Sequence, residues 1–407
     1  MRLFVCFFCF FYLNSLKAQF ILPLQYDTNI INQEYLLNGT VDYGFSSIRN
    51  DFSNKFFFGG FISDEVKDKS FGLHNGINRG GFEAGAEWEY RNYQLSAFKK
   101  NRGIVVKLGY GSFGSVLYSK DLFGLTFYGN EAYLGQNVDF SGSTFNYMSF
   151  QKLGFGFIDK KSKSSLTLNA YSISNYASGR AYNGGLFQSD NIDSINLLLD
   201  ANLDLANSSS FVKGIGIGLD FDYRIPFEIK KDKIAFVQMT VRNFGIAYLP
   251  SNVSNYQTDT NYIYEGFTLD QLIGDANILN NGTSILDTLN ITEQTKSSIR
   301  MLPGHVQIGK IIDEHNTSMF QSYFGAQLYY TLAYAPLIYI GGQLRVNEYI
   351  KFGSHVSYGG FTKFRMGIYA NFDINKFNLG LGSEDIIGTI SNVGRGKSLQ
   401  LRLRCAL

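Results

Sequence analysis

Few residues in this chain combine the types and the spacing that chemistry needs. Gly109-Tyr110-Gly111-Ser112-Phe113-Gly114 matches a dinucleotide fingerprint by letters. That fingerprint needs a strand before it and a helix after it, so that the helix N-terminus meets the pyrophosphate. Here Val116-Leu117-Tyr118 continues a strand-like stretch, so the glycines read as strand or bend residues. None of the four histidines, His74, His305, His315 and His355, stands at metal-ligand spacing from another His or a Cys, and no zinc site is expected. His355 and Ser357 share one strand face, as in a Ser–His hydrolase, but the sequence offers no third group to orient the base. They read as two lumen residues. No catalytic residue, cofactor or metal is expected.

Charge is the stronger signal. Glu83, Glu87, Glu89, Asp220, Asp222, Arg224, Arg345, Lys351, Lys363, Arg365, Asp373, Arg402 and Arg404 all fall on the polar faces of alternating segments. The early and middle segments carry the acids and the late ones the bases. Such a set can select polar solutes along a pathway. It can equally brace a closed barrel with salt bridges, and mixed signs favour that second reading.

The elements that carry these charges are strands. Phe364, Met366, Ile368, Ala370 and Phe372 alternate with Arg365, Gly367, Tyr369 and Asn371. The same period of two runs through Ile350–Tyr358, Leu399–Leu407, Phe82–Tyr90 and Ile215–Tyr223, and no apolar face among these five carries a charge. A period of two means one apolar and one polar face. Several runs reach ten residues, whereas soluble β-sandwich strands usually have about five or six. The expectation is an all-β transmembrane antiparallel barrel of about 14 strands, with 12 to 16 compatible with the pattern. A one-residue slip of 361–373 would turn Lys363, Arg365 and Asp373 into lipid, so register is tightly specified.

Composition agrees. There are 5 Pro in 407 residues, 17% charged residues and 16% aromatics. A closed sheet avoids Pro, and a lipid-facing band edged by aromatic girdles excludes charge. Residues 1–18 have the short basic start, apolar run and small residue of a secretory signal. Without Arg2 and Lys17 the chain has 34 basic and 34 acidic residues, which gives no basis for nucleic-acid binding. Cys6 and Cys9 leave with the leader, so Cys405 has no partner for an intramolecular disulfide. No later stretch is a helical membrane span. The Asn-x-Ser/Thr matches at Asn38, Asn252, Asn281 and Asn290 read as incidental, since Asn-rich loops create them by chance.

Strands are expected near 38–48, 53–62, 80–90, 92–101, 103–119, 150–158, 165–175, 195–205, 213–224, 234–247, 304–312, 319–333, 337–346, 349–358, 361–373, 377–384 and 397–406. Short turns are expected at Lys230–Lys233, Asn347-Glu348, Gly359-Gly360 and Asn375-Lys376. Long connections are expected at 120–149, 176–194 and 249–302, the last as an outer loop or plug with a short helix near Leu269–Ile273. The whole of 19–407 reads as one barrel domain.

Four stretches carry a family likeness: Leu122–Asn130 continuing through Tyr133–Gln136 to Phe145–Tyr147, then Gly214–Asp222, Tyr264–Leu272, and Arg300–Pro303. In this order they resemble a Bacteroidota outer-membrane barrel family of unknown function, distantly similar in layout to the PorP/SprF proteins associated with type IX secretion and gliding. The resemblance implies a barrel of about 14 strands without known catalytic residues. The end at Leu407 departs from the aromatic last residue common in such barrels. The expected role is a non-enzymatic scaffold or partner-binding component in the bacterial outer membrane. Its expected contacts are lipid, the barrel-assembly machinery and a periplasmic or surface protein. The alternative is a transport channel for small polar or amphipathic solutes.

Overall fold

A computed structural model describes residues 25–26, 32–95, 101–191, 193–206, 210–230, 233–264, 290–313 and 318–407. The expected leader, the helix near Leu269–Ile273 and the turn residues 231–232 lie outside these.

Fourteen strands form the ring. They are β1 Gln33–Phe45, β2 Ile77–Asn92, β3 Arg102–Ser119, β4 Thr144–Asp159, β5 Ser165–Gln188, β6 Gly214–Lys230 and β7 Lys233–Tyr264, followed by β8 His305–Asp313, β9 Phe320–Tyr329, β10 Ala335–Arg345, β11 Ile350–Gly360, β12 Phe364–Ile374, β13 Phe377–Ser383 and β14 Gly396–Ala406. Each pairs antiparallel with its successor, and β14 pairs back onto β1, Arg402 opposite Asn38, so the sheet has no free edge at barrel level. Closure of this kind satisfies every ladder hydrogen bond without water.

The faces follow the sequence pattern. Ile215, Ile217, Leu219 and Tyr223 on β6, Phe352, Val356 and Tyr358 on β11, and Phe364, Met366 and Ile368 on β12 are exposed on the outside, while Asp220, Asp222, Lys351, His355 and Arg365 are buried inside. Apolar outside and charged inside is the reverse of a water-soluble protein and suits lipid. Two groups of outward aromatic rings bound the wall. Tyr35, Trp88 and Tyr90 meet near one end, and Tyr43, Phe45, Phe82 and Tyr147 meet near the other.

The two ends differ. At one end lie the chain terminus Leu407 and the connections after β2, β4, β6, β8, β10 and β12; those after β4, β10 and β12 are short turns. At the other lie the longer connections, and here the expected loops need correction. Residues 53–62, expected as a strand, contain helix α1 Asn50–Phe58, which ends at Gly59 with φ 86°. Tertiary packing decides this: Phe52 packs at 4.8 Å against Phe127 and 5.4 Å against Phe123, both on a helix further along the chain. Helix α2 Asp64–Phe71 follows α1. Residues 120–149 are not loop throughout; they hold helix α3 Lys120–Tyr128, capped by Ser119, which accepts from Leu122 N, and a short strand Asn137–Asp139. A fourth helix, α4 Ile386–Ile390, lies before β14.

Of the expected connections at 176–194 and 249–302, residues 176–188, 249–264 and 292–301 are strand. β5 runs 24 residues and β7 runs 32. Beyond the barrel rim they pair with Ile195–Ala206 and Thr292–Met301, so that Asn137–Asp139, β5, Ile195–Ala206, β7 and Thr292–Met301 make a sheet standing off one side of the ring. Of 92–101, expected as a strand, residues 93–95 are a turn: Asn92 Oδ1 accepts from Gln94 N and Leu95 N, both at 2.9 Å, and 96–100 lie outside the described residues. The 103–119 stretch is a single strand.

Candidate functional site

The site is the lumen. On β2, β3, β4 and β6 the inward positions bring Glu87, Glu89, Lys107, Lys152 and Asp220 together. Asp220 Oδ2 accepts from Lys107 Nζ at 3.1 Å and from Lys152 Nζ at 3.0 Å. Lys107 also lies 3.6 Å from Glu87, and Lys152 pairs with Glu87 as well. The other Asp220 oxygen accepts from the Asn243 backbone N–H at 2.8 Å. That donor is aimed by a bulge in β7 between Val241 and Phe244, where Asn243 takes φ 51°. Asn tolerates this left-handed conformation better than most residues. Arg242 Nη2 lies 3.5 Å from Asp222.

Most of the remaining predicted charges are paired. Arg365 grips Asp42 with Nη1 at 2.9 and 2.8 Å from the two carboxylate oxygens. Arg404 pairs with Glu34, which also accepts from Arg91 at 3.1 Å. Lys351 meets Asp373 at 2.9 Å, and Arg402 donates to Asn38 at 3.3 Å. Arg224 Nε is 4.0 Å from Asp222. Arg345 is half-buried at the end of β10, in register with Lys351. Lys363 does not reach the lumen wall. It is exposed in the turn between β11 and β12, because the strand begins only at Phe364, and its expected inward place is corrected accordingly. The sequence reading missed Lys107, Lys152, Arg91 and Arg242. Lys107 follows Ile104-Val105-Val106 and precedes Leu108, so both faces looked apolar there.

The bore is crossed above this network. Tyr329 on β9 donates its hydroxyl to Glu83 on β2, and these strands stand seven places apart in the ring in either direction. Phe113 on β3 stacks on Tyr329 at 5.3 Å, His305 lies 5.0 Å from it and Tyr334 4.6 Å. Ser115 Oγ and Thr331 Oγ1, 3.3 Å apart, tie the β9–β10 connection to β3. Two cavities lie against Phe113. The inner one, about 160 Å³, is lined by Glu87, Arg91, Lys152, Arg242, His305 and Arg402. The outer one, about 400 Å³, is lined by Met148, Tyr176, Arg180, Asn202, Arg300 and Tyr330. Phe113 and Pro303 line both.

The Ser–His pair does not form a hydrolase arrangement. His355 Nε2 is 2.7 Å from Glu384 and Nδ1 is 3.1 Å from the Tyr323 hydroxyl, so both ring nitrogens are engaged and neither is left for Ser357. Gly109–Gly114 lies inside β3. A Cβ at Gly111 would sit 2.5 Å from the Phe150 ring, and one at Gly114 would sit 2.2 Å from Phe82. These glycines make room for aromatic rings, as strand glycines do.

A closed antiparallel barrel with an apolar exterior, aromatic girdles and a charged interior is an outer-membrane β-barrel. No protein-family model and no curated protein matches the chain. Among solved structures it is similar to the P. putida toluene transporter TodX, at TM-score 0.39 and 9% identity over 93% of this chain and 89% of that one. It is similar also to the translocator domain of the autotransporter NalP from Neisseria meningitidis, at TM-score 0.27 and 8% identity over 94% and 90%. Scores this low carry no inference about what this barrel binds or passes.

Proposed function

We propose that this chain is a non-enzymatic barrel of the bacterial outer membrane, closed at rest, that acts as a scaffold or partner-binding component of a secretion or surface machinery. The observation that carries the reading is the Tyr329–Glu83 contact across the bore. A side-chain bridge between opposite walls, with Phe113 stacked upon it, narrows the bore at that level and supports a closed resting state. What such a barrel offers a partner is its ends. Short turns and the terminus gather at one end, which by the usual rule for these barrels faces the periplasm. The helices and the standing sheet then face outward. The resemblance of Leu122–Asn130, Gly214–Asp222, Tyr264–Leu272 and Arg300–Pro303 to a Bacteroidota outer-membrane barrel family, distantly similar in layout to the PorP/SprF proteins, supports a partner in secretion or gliding. Lipid and the barrel-assembly machinery are the contacts any such barrel makes.

Two cavities that both lie against Phe113 favour a second reading, a gated channel for small polar or amphipathic solutes. Single-channel recording in planar bilayers separates the two. The closed scaffold is expected to be silent, and the Phe113→Ala/Tyr329→Ala double variant to show current steps. Stable steps from the unaltered protein would overturn the closed reading. A specific periplasmic or surface protein crosslinked in native membranes would support the scaffold.

A further inference from the structure

The outward aromatic ring at the long-loop end includes a residue that is not on the barrel. Phe57 of α1 stacks on Phe45 at 6.4 Å and meets Tyr43 at 6.1 Å, both on the outer face of β1. Eight residues along β1 separate Tyr43 from Tyr35 in the opposite girdle, about 26 Å along a strand. Tilted as barrel strands are, that is on the scale of the apolar band that lipid covers. So α1 lies against the wall where hydrocarbon ends and headgroups begin. Its last turn and the residues after it expose Phe56, Phe57, Phe58 and Phe61, at 57%, 54%, 80% and 84%. Four exposed Phe within six positions form a patch that water does not tolerate without a partner.

Behind these rings is a cavity of about 220 Å³ between α1, α3 and the outer face of β3, walled by Phe45, Phe56, Phe57, Val116, Leu122 and Phe127. Ser53 and Thr126 are the polar residues lining it besides the Tyr118 hydroxyl. The Tyr118 hydroxyl is 3.0 Å from Ser47 Oγ, and Thr126 donates to the Leu122 carbonyl at 2.7 Å. Ser53 Oγ is the one lining polar atom left without a hydrogen-bond partner among the described residues, so the cavity is overwhelmingly apolar. The half-exposed rings of Phe56 and Phe57 form its outer side, continuous with the lipid-facing girdle.

We propose that this cavity holds one acyl chain of an outer-leaflet lipid, and that α1 is thereby anchored in the membrane interface. The inference rests on the membrane placement above, and the test keeps the two apart. Single-Trp variants in a Trp88→Phe background are reconstituted in phosphatidylcholine vesicles with chain-brominated lipid. Leu168→Trp, on the exposed outer wall, reports the membrane, and Phe56→Trp reports the cavity. Both are expected to be quenched. An unquenched Leu168→Trp would sink the membrane placement; quenching there with none at Phe56→Trp would sink the acyl site alone. Native mass spectrometry of detergent-washed protein is expected to find one retained phospholipid, reduced at least threefold by Val116→Trp but not by Leu168→Trp. Equal retention in both, or retention of a free fatty acid in its place, would overturn the assignment to a bilayer lipid.

Discussion

Asp220 has no access to water, yet it accepts from two ammonium groups and a backbone amide. Burying an ion pair contributes little net stability, because desolvation offsets the attraction, but removing one partner strands the other. Asp220→Asn leaves Lys107 and Lys152 sharing Glu87 and Glu89. The expected cost is about 3–5 kcal/mol, read as a lower urea midpoint for the folded barrel in lipid vesicles. Adding Lys107→Met to that variant is expected to restore part of the loss, since the pair are coupled. A single-variant loss under about 1 kcal/mol would mean that the network does not brace the wall. The acids of this cluster were legible from alternation, because each stands between apolar neighbours in a clear period of two. Lys107 was not, because Val105, the preceding inward residue, is itself apolar and fully buried.

At the scale of elements, the helices beside the rim depend on a buried histidine outside the membrane-spanning strands. His74 Nδ1 donates to the Ser70 carbonyl at 2.8 Å, and its ring lies 4.2 Å from Phe123. Its Nε2 has no hydrogen-bond partner among the described residues. Burial pushes its pKa down to about 4, and Lys120 nearby acts in the same direction. A lowered histidine pKa means that the folded form binds fewer protons than the unfolded form. Its stability is therefore full above about pH 6.5 and falls as pH drops from there toward 4. Amide exchange in 64–74 and 120–128, corrected for intrinsic rates, is expected to quicken on the order of tenfold or more between pH 7 and pH 4.5. His74→Leu should remove that difference; an unchanged profile would place the acid sensitivity elsewhere. Strands with one lipid face and one polar face were readable because the membrane imposes the alternation. The upper parts of β5 and β7 stand beyond it, where both faces can meet water, and their polar composition read as loop. Helix α1 was hidden for another reason. A Phe-rich run of this length fits strand or helix alike, and only the contact of Phe52 with Phe123 and Phe127 on a distant segment decides it.

A ring of fourteen strands lies between the eight-stranded barrels that side chains fill and the sixteen-stranded porins that leave an aqueous channel. Large residues reach inward in this one: Tyr323, Tyr329, Tyr339, Tyr369, Phe113 and Phe361 are all buried in one cluster. On the scaffold reading proposed above, function at the level of the whole molecule depends on which end meets which compartment. Three of the connections at the terminus end are short turns, while the helices and the standing sheet occupy the other. In cells carrying a Cys405→Ser background, a membrane-impermeant maleimide is expected to label Val393→Cys, exposed between α4 and β14. It should miss Lys161→Cys, exposed in the β4–β5 turn, until the outer membrane is permeabilised. The reverse pattern would invert the barrel and turn the helices and the standing sheet toward the periplasm. It would also sink the outer-leaflet lipid site, because Phe56 and Phe57 would then lie at the inner leaflet. The same two labels therefore fix where a partner must be sought and which lipid the helical side of the barrel can meet.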